Sequence, residues 1–189
     1  MMALELYIAF AGTVLIFGGV WLYNRLVAAR NLARQGFADI DVQLKRRADL
    51  VPQLVEAVRG YAAYEKALLT TVTELRSAAL ADKSLAARFG HERRLGEGLK
   101  QLLLLQEAYP QLKADANFRQ LSQSLVEVED HLQNARRYYN AVVRDLNTKI
   151  AQFPSNLVAG VARIVPREFF GLESDVERAV PAVSLGAKG

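Results

Sequence analysis

One uncharged stretch decides what this chain can be. From Leu6 to Tyr23 the sequence reads LYIAFAGTVLIFGGVWLY, without a single Asp, Glu, Lys, Arg or His. A helix needs about 20 apolar residues to cross the hydrocarbon core, and this run, with Met1 to Leu4 ahead of it, reaches that length. Core helices of soluble proteins are rarely apolar on every face for so long. Tyr7, Trp21 and Tyr23 lie near its two ends, where amphipathic rings favour the headgroup level. A cleavable signal peptide is the competing reading. It wants a basic leader, whereas Glu5 is the only charge ahead of the run, and Arg25 interrupts the approach to the small residues Val27-Ala28-Ala29. Residues 1–24 are therefore expected to be an N-terminal transmembrane anchor.

The flanks give a direction. Arg25, Arg30, Arg34, Lys45, Arg46 and Arg47 all follow the run, and no Lys or Arg precedes it. Positive charges beside a span stay on the cytoplasmic side. The expected placement is a single-pass protein of the bacterial inner membrane, N-terminus out, with a cytoplasmic body.

Beyond Asn24 the apolar residues recur at helical spacing. Leu26, Ala33, Phe37, Ile40 and Leu44 form one stripe, interrupted by Arg30. Val51, Val55, Val58, Ala62, Leu69, Val72 and Ala79 form a second, with Glu65 and Arg76 in its seam. The longest runs from Phe118 through Leu121, Leu125, Val128, Leu132, Ala135, Tyr139, Val142, Leu146 and Ile150 to Phe153. Its 3.5-residue period keeps one face on a partner helix, and at 1.5 Å per residue it would extend some 50–60 Å. Asp49 can cap a helix whose first turn holds Pro52. Asp82 to Ser84 separates that helix from a third, whose apolar face starts at Leu85 and Phe89. Gly90, Gly96 and Gly98 weaken the third helix before Leu99, Leu102, Leu103 and Leu105. Tyr109-Pro110 ends it. The fourth begins near Asp115 and stops at Phe153-Pro154, and Ser155-Asn156 caps a short helix running through Arg163. The fold class expected is all-α: a transmembrane helix followed by an antiparallel four-helix bundle of long helices over residues 25–173, then a frayed tail at 174–189. An extended coiled coil between chains fits the same period.

Specific residues, beyond their periodicity, resemble the LemA family. They are Tyr23-Asn24-Arg25-Leu26-Val27, Arg47-Ala48-Asp49-Leu50-Val51-Pro52-Gln53-Leu54-Val55, Gly60-Tyr61, Glu107-Ala108-Tyr109-Pro110-Gln111-Leu112-Lys113-Ala114 and Asn117-Phe118. Further along come Glu129, Ala135-Arg136, Tyr139-Asn140, Phe153-Pro154-Ser155-Asn156-Leu157 and Phe169-Phe170. Leu146-Asn147 departs from the pattern, since the family often repeats a Tyr-Asn pair there. The resemblance implies a bacterial single-pass membrane protein with a cytoplasmic four-helix bundle and no established activity. Some relatives look connected with membrane organisation, others with membrane proteases or envelope stress.

The 189 residues include no cysteine and only two histidines, at a formal net charge of +4. That excludes disulfides, thiolate metal sites and cysteine nucleophiles. His91 and His131 are too few for a metal centre and read as solvated side chains. There is no Gly-rich phosphate loop, no G-x-S-x-G elbow and no HExxH. No catalytic residue, no cofactor and no enzyme activity are expected. Nucleic acid is an unsuitable partner, because no basic stripe interleaved with aromatics appears. Lys45-Arg46-Arg47, some 30 Å from the span along a straight helix, reads as solvated or interhelical.

What remains is a structural polar network: Arg30, Glu65, Glu129, Arg136, Tyr139 and Asn140. Glu65 in a seam needs a cation such as Arg30 or Arg136. Glu129 and Arg136 lie two turns apart on one face, and Tyr138, Tyr139 and Asn140 offer hydroxyl and amide groups close to the seam. Phe153, Leu157, Phe169 and Phe170 form an apolar C-terminal segment. It either folds back to close the core or offers an interaction surface. The function expected is a self-associating, non-enzymatic scaffold in contact with the lipid bilayer. An adaptor for a membrane-protein partner is the alternative.

Overall fold

A computed structural model describes residues 1–62, 65–82 and 85–171, without the side chains of Leu85 and Ala86. The expected frayed tail, 174–189, and the apolar role of Leu85 lie outside the described residues. The chain is all-α: the described residues contain helices, turns and irregular backbone, and no strand. In order they are α1 (Met2–Arg59), α2 (Lys66–Ala81), α3 (Leu85–Ala108), α4 (Pro110–Ala114), α5 (Ala116–Ala151) and α6 (Ser155–Val161).

α1 is one helix of 58 residues, so the apolar run and the first stripe of the body are continuous. Its apolar window meets the length and composition of a membrane span, and none of it is buried. The helix start expected at Asp49 is absent, because α1 runs straight through Pro52. A proline inside a helix leaves the carbonyl four residues back without its N–H donor. Here that carbonyl is Ala48 O, and Arg76 Nε of α2 donates to it at 2.6 Å. The guanidinium thus offsets the proline's cost and ties α2 to α1. The second stripe is cut instead at Gly60–Glu65, where the Tyr61 and Ala62 amides close on Val58 O at 3.0 and 2.9 Å.

α5 runs antiparallel to α1, as cross-contacts along its length require. Tyr61 Oη donates to Asp115 Oδ2 at 3.0 Å, Arg47 bonds Glu129, and a side chain on Gly36 would meet Tyr138 and Tyr139. Stepping back along α1 for each residue forward along α5, from Arg47 opposite Glu129, brings Ile40 level with Arg136 and Leu26 level with Ile150, next to the end of α5. Asp115 has two roles at the far end. Its Oδ1 caps α5 by accepting Phe118 N at 2.7 Å, and its Oδ2 holds Tyr61. The Phe118 amide first, then the Tyr61 hydroxyl, keep this carboxyl below the usual range, while the same carboxylate raises the Tyr61 phenol.

The core has two parts. The distal one joins Val51, Leu54 and Val58 of α1 to Val72 of α2, Leu95, Leu99 and Leu102 of α3, Leu112 of α4 and Phe118 of α5. The other joins Leu26, Ala29, Ala33 and Ile40 to Leu132, Tyr139 and Leu146, closed by Ala159, Ile164 and Phe170 of the C-terminal segment. α4 fills the turn after Tyr109-Pro110, where no element was expected. α6 ends at Val161 rather than Arg163, and Pro154 rather than Ser155-Asn156 precedes its first turn.

Candidate functional site

Between the two cores lies an ion cluster. Arg47 occupies a seam position of α1 and is 1% exposed; Glu92 of α3 is 3% exposed. The Arg47 guanidinium donates to the Glu92 carboxylate and, at 2.9 Å, to the Glu92 backbone carbonyl. Its other terminal nitrogen donates to Glu129 Oε1 of α5 at 2.8 Å. One arginine thereby links three helices. Gly96 makes the room: a Cβ there would stand 3.3 Å from Arg47 Nη1. Arg136, level with Ile40, packs its guanidinium 4.8 Å over the Phe170 ring. Burial first, and then the like charge of Arg47, lower its pKa; Glu129 and Glu92 oppose that. Two cations and two carboxylates are balanced in one largely buried patch, the arrangement a buried charge needs to be tolerated.

Of the run Lys45-Arg46-Arg47, expected to be solvated or interhelical, Arg47 is interhelical, and Glu92 is a partner the sequence does not mark. Arg47 has exposed neighbours in Lys45 and Arg46. Its spacing from Leu44 and Val51, three and four residues, is the seam spacing and marks it as inward. Two expected members of the network fall elsewhere. Arg30 is exposed, because Ala29 and Ala33 occupy the seam beside it. Glu65 sits past the distal end of α1, immediately before α2. The antiparallel register separates it from Arg136, level with Ile40, and still further from Arg30. His91 is half-buried, with Nε2 3.6 Å from Asp82, rather than solvated.

Tyr139 and Asn140 hold the C-terminal segment. Tyr139 Oη donates to Glu168 O at 2.9 Å, and burial raises its phenol pKa. Asn140 pairs its amide with the backbone of Phe170, donating to the carbonyl at 3.1 Å and accepting from the amide at 2.8 Å. Asn147, two turns on, treats Arg167 the same way, with both bonds at 2.9 Å. Two asparagines on one face of α5 thus clamp residues 167–170 as a neighbouring strand would. Leu146, which departs from the Tyr-Asn pattern, is buried in the core, and the clamp needs only Asn147. Asn140→Ala should cost about 1–2 kcal/mol for the two bonds lost. Amide exchange at Glu168–Gly171 should accelerate while α1 stays protected; unchanged exchange there would refute the clamp.

The apolar segment itself divides. Phe170 is buried, against Phe89 at 3.9 Å between ring centres, and Phe169 is half-buried. Phe153 and Leu157 face outward. Among the described residues no group of three or more His, Asp or Glu could hold a metal ion. The cluster registers three helices, because Arg47 of α1 bonds both Glu92 of α3 and Glu129 of α5.

These features define a class: an all-helical protein with, among its described residues, one helix long and apolar enough to cross a membrane, whose body is pinned by a buried arginine and closed by a clamped C-terminal segment. The chain belongs to the LemA family, whose model matches residues 36–185. Magnetosome protein MamQ 2 of Paramagnetospirillum magneticum is 23% identical, over 86% of this chain and 68% of that protein. Protein LemA of Metamycoplasma hominis is 28% identical, over 72% of this chain and 63% of its own length. Magnetosome protein MamQ of Magnetospirillum gryphiswaldense is 23% identical over 78% and 64%.

Proposed function

We propose that this LemA-family protein is a non-enzymatic, single-pass scaffold of the bacterial inner membrane, N-terminus out. Its cytoplasmic body is an antiparallel four-helix bundle of α1, α2, α3 and α5 that associates with further copies of itself. The observation that carries this reading is the continuity of α1. The helix leaves the unburied apolar run and enters the seam of the body without a break, so the body stands rigidly on its anchor. From Tyr23 to Arg59 that rod extends some 50–60 Å. A rigid rod presenting its sides suits holding other molecules at a fixed height.

The test is topological. In inverted inner-membrane vesicles protease should remove everything beyond Asn24 and spare the span. Survival of the body in inverted vesicles, with digestion in spheroplasts, would reverse the orientation. Recovery of intact protein in the soluble fraction would end the anchor reading.

The adaptor reading draws on a cleft between α3 and α5, about 160 Å³, lined by Leu99, Leu103, Leu125 and Val126 together with Lys100, Glu129 and Asp130. Crosslinking from Val126 in cells separates the two readings: products containing this chain alone support the scaffold.

A further inference from the structure

The exposed half of the C-terminal segment sits at one height. α5 ends at Ala151, which the register with α1 places level with Arg25, two residues beyond Tyr23 at the end of the apolar run, and Phe153 comes two residues later. The segment after α6 then climbs away from that level along α5, as Arg167 opposite Asn147 and Phe170 opposite Asn140 require. α6 therefore lies at the base of the body, beside the point where α1 leaves its apolar run.

At that base the helix is apolar on the wrong side for a soluble protein. Ala159 is buried against the body, yet Phe153 is 80% exposed, Leu157 61%, Val161 90% and Val165 71%. These four recur every fourth residue, so across α6 Leu157 and Val161 share one outward face. Charge at the same level is predominantly positive, since Asp145 is taken up by Lys149 and Glu168 is the other acidic residue there. No acidic residue occurs from Leu6 to Ala38 or from Leu146 to Arg167, and with Lys149 paired to Asp145 the arginines Arg25, Arg30, Arg163 and Arg167 remain in excess. Arginines around an apolar face complement an anionic headgroup layer with acyl chains beneath it.

We propose that α6 and its flanking turns are a second membrane contact, a foot that dips the Phe153, Leu157, Val161 and Val165 side chains into the cytoplasmic interface of the bilayer that α1 crosses. This rests on the anchor reading above. Its occupant is lipid, because the face is continuous with the span and level with its end. The foot fixes the tilt of the body, since the asparagine clamps transmit its position to α5.

The chain has no cysteine, which makes single-site labelling direct. Val161→Cys and Val126→Cys, each carrying an environment-sensitive fluorophore, are reconstituted as full-length protein into phosphatidylcholine–phosphatidylglycerol vesicles. Trp21, the only tryptophan, reports the anchor in the same sample. Nitroxide lipids should quench the label at 161 by roughly half, as for a group seated about 5–10 Å into the interface, and leave the label at 126 unchanged. A label at 161 that stays water-exposed while Trp21 is quenched overturns the foot and leaves the anchor standing. A blue-shifted label at 161 that lipid nitroxides do not quench overturns it in favour of a contact between copies. Unquenched Trp21 overturns the anchor reading and the foot with it.

Discussion

Replacing Arg47 by methionine should cost about 3–5 kcal/mol of folding free energy, because it leaves the Glu92 carboxylate buried without its cation. For a chain of this size that corresponds to a drop in Tm of about 10 °C or more. The two carboxylates do not share the loss equally. Glu129 is about one-third exposed and can turn to water; Glu92, 4% exposed in its side chain, cannot. The defect should therefore be cured from the Glu92 side. The double variant R47M/E92L, which exchanges the ion pair for apolar side chains of similar size, should recover to within about 1 kcal/mol of the parent. E129Q, which keeps an oxygen able to accept from Arg47 and loses only the charge, should cost no more than about 1 kcal/mol. Denaturant unfolding in a mild detergent reads all three. If R47M and R47M/E92L were equally destabilised, the damage would come from lost volume at Arg47 and not from an orphaned charge.

Much of the helical layout was legible because large aliphatic side chains mark it. The α5 stripe from Phe118 to Leu146 is buried at Phe118, Leu121, Leu125, Val128, Leu132, Tyr139 and Leu146, and Asp115 and Tyr109-Pro110 mark their boundaries through elementary capping and proline sterics. What misled was punctuation inside α1. Asp49 and Pro52 look like a helix start, and locally they satisfy its rules. Arg76, far along the chain, supplies the donor that Pro52 lacks, and no local pattern encodes that rescue. Gly60, a modest signal beside a proline, marks the true end.

The polar centre was half legible for a related reason. Glu129 and Arg136 stand out as charges on an otherwise apolar face, and the structure puts one on Arg47 and the other over Phe170. Arg47 hid inside a basic triplet, although its position in the 3–4 spacing from Leu44 to Val51 points inward. Glu92 had no signal of its own: α3 holds charges on several faces, and only the docking of α1 selects one. The first stripe is in phase, with Leu26, Ala33, Ile40 and Leu44 buried, but incomplete. It leaves out Ala29 and Gly36, which are also buried there, because small residues carry little hydrophobic weight in a periodicity argument and much weight in a packing one.

Gly36 carries that packing to its limit. A Cβ built there would stand 3.2 Å from the Tyr138 ring and 3.3 Å from the Tyr139 Cα. The first neighbour is an exposed side chain that can swing away; the second is backbone and can yield only if α5 moves. Glycine in mid-helix costs about 1 kcal/mol relative to alanine, so its presence here reflects the close approach of the two longest helices. Gly36→Ala should be nearly neutral, the gain in helix propensity offset by the tightened contact. Gly36→Leu should cost about 1–3 kcal/mol as overpacking. Its effect should also spread: wedging α1 from α5 at this point disturbs the edge-on contact of Phe37 with Tyr139, 5.7 Å between ring centres, and through Tyr139 the bond to Glu168 O. Amide exchange at residues 167–170 should accelerate in Gly36→Leu and remain slow in Gly36→Ala. A leucine variant as stable as the parent, with that segment still protected, would mean that α1 and α5 do not meet at Gly36.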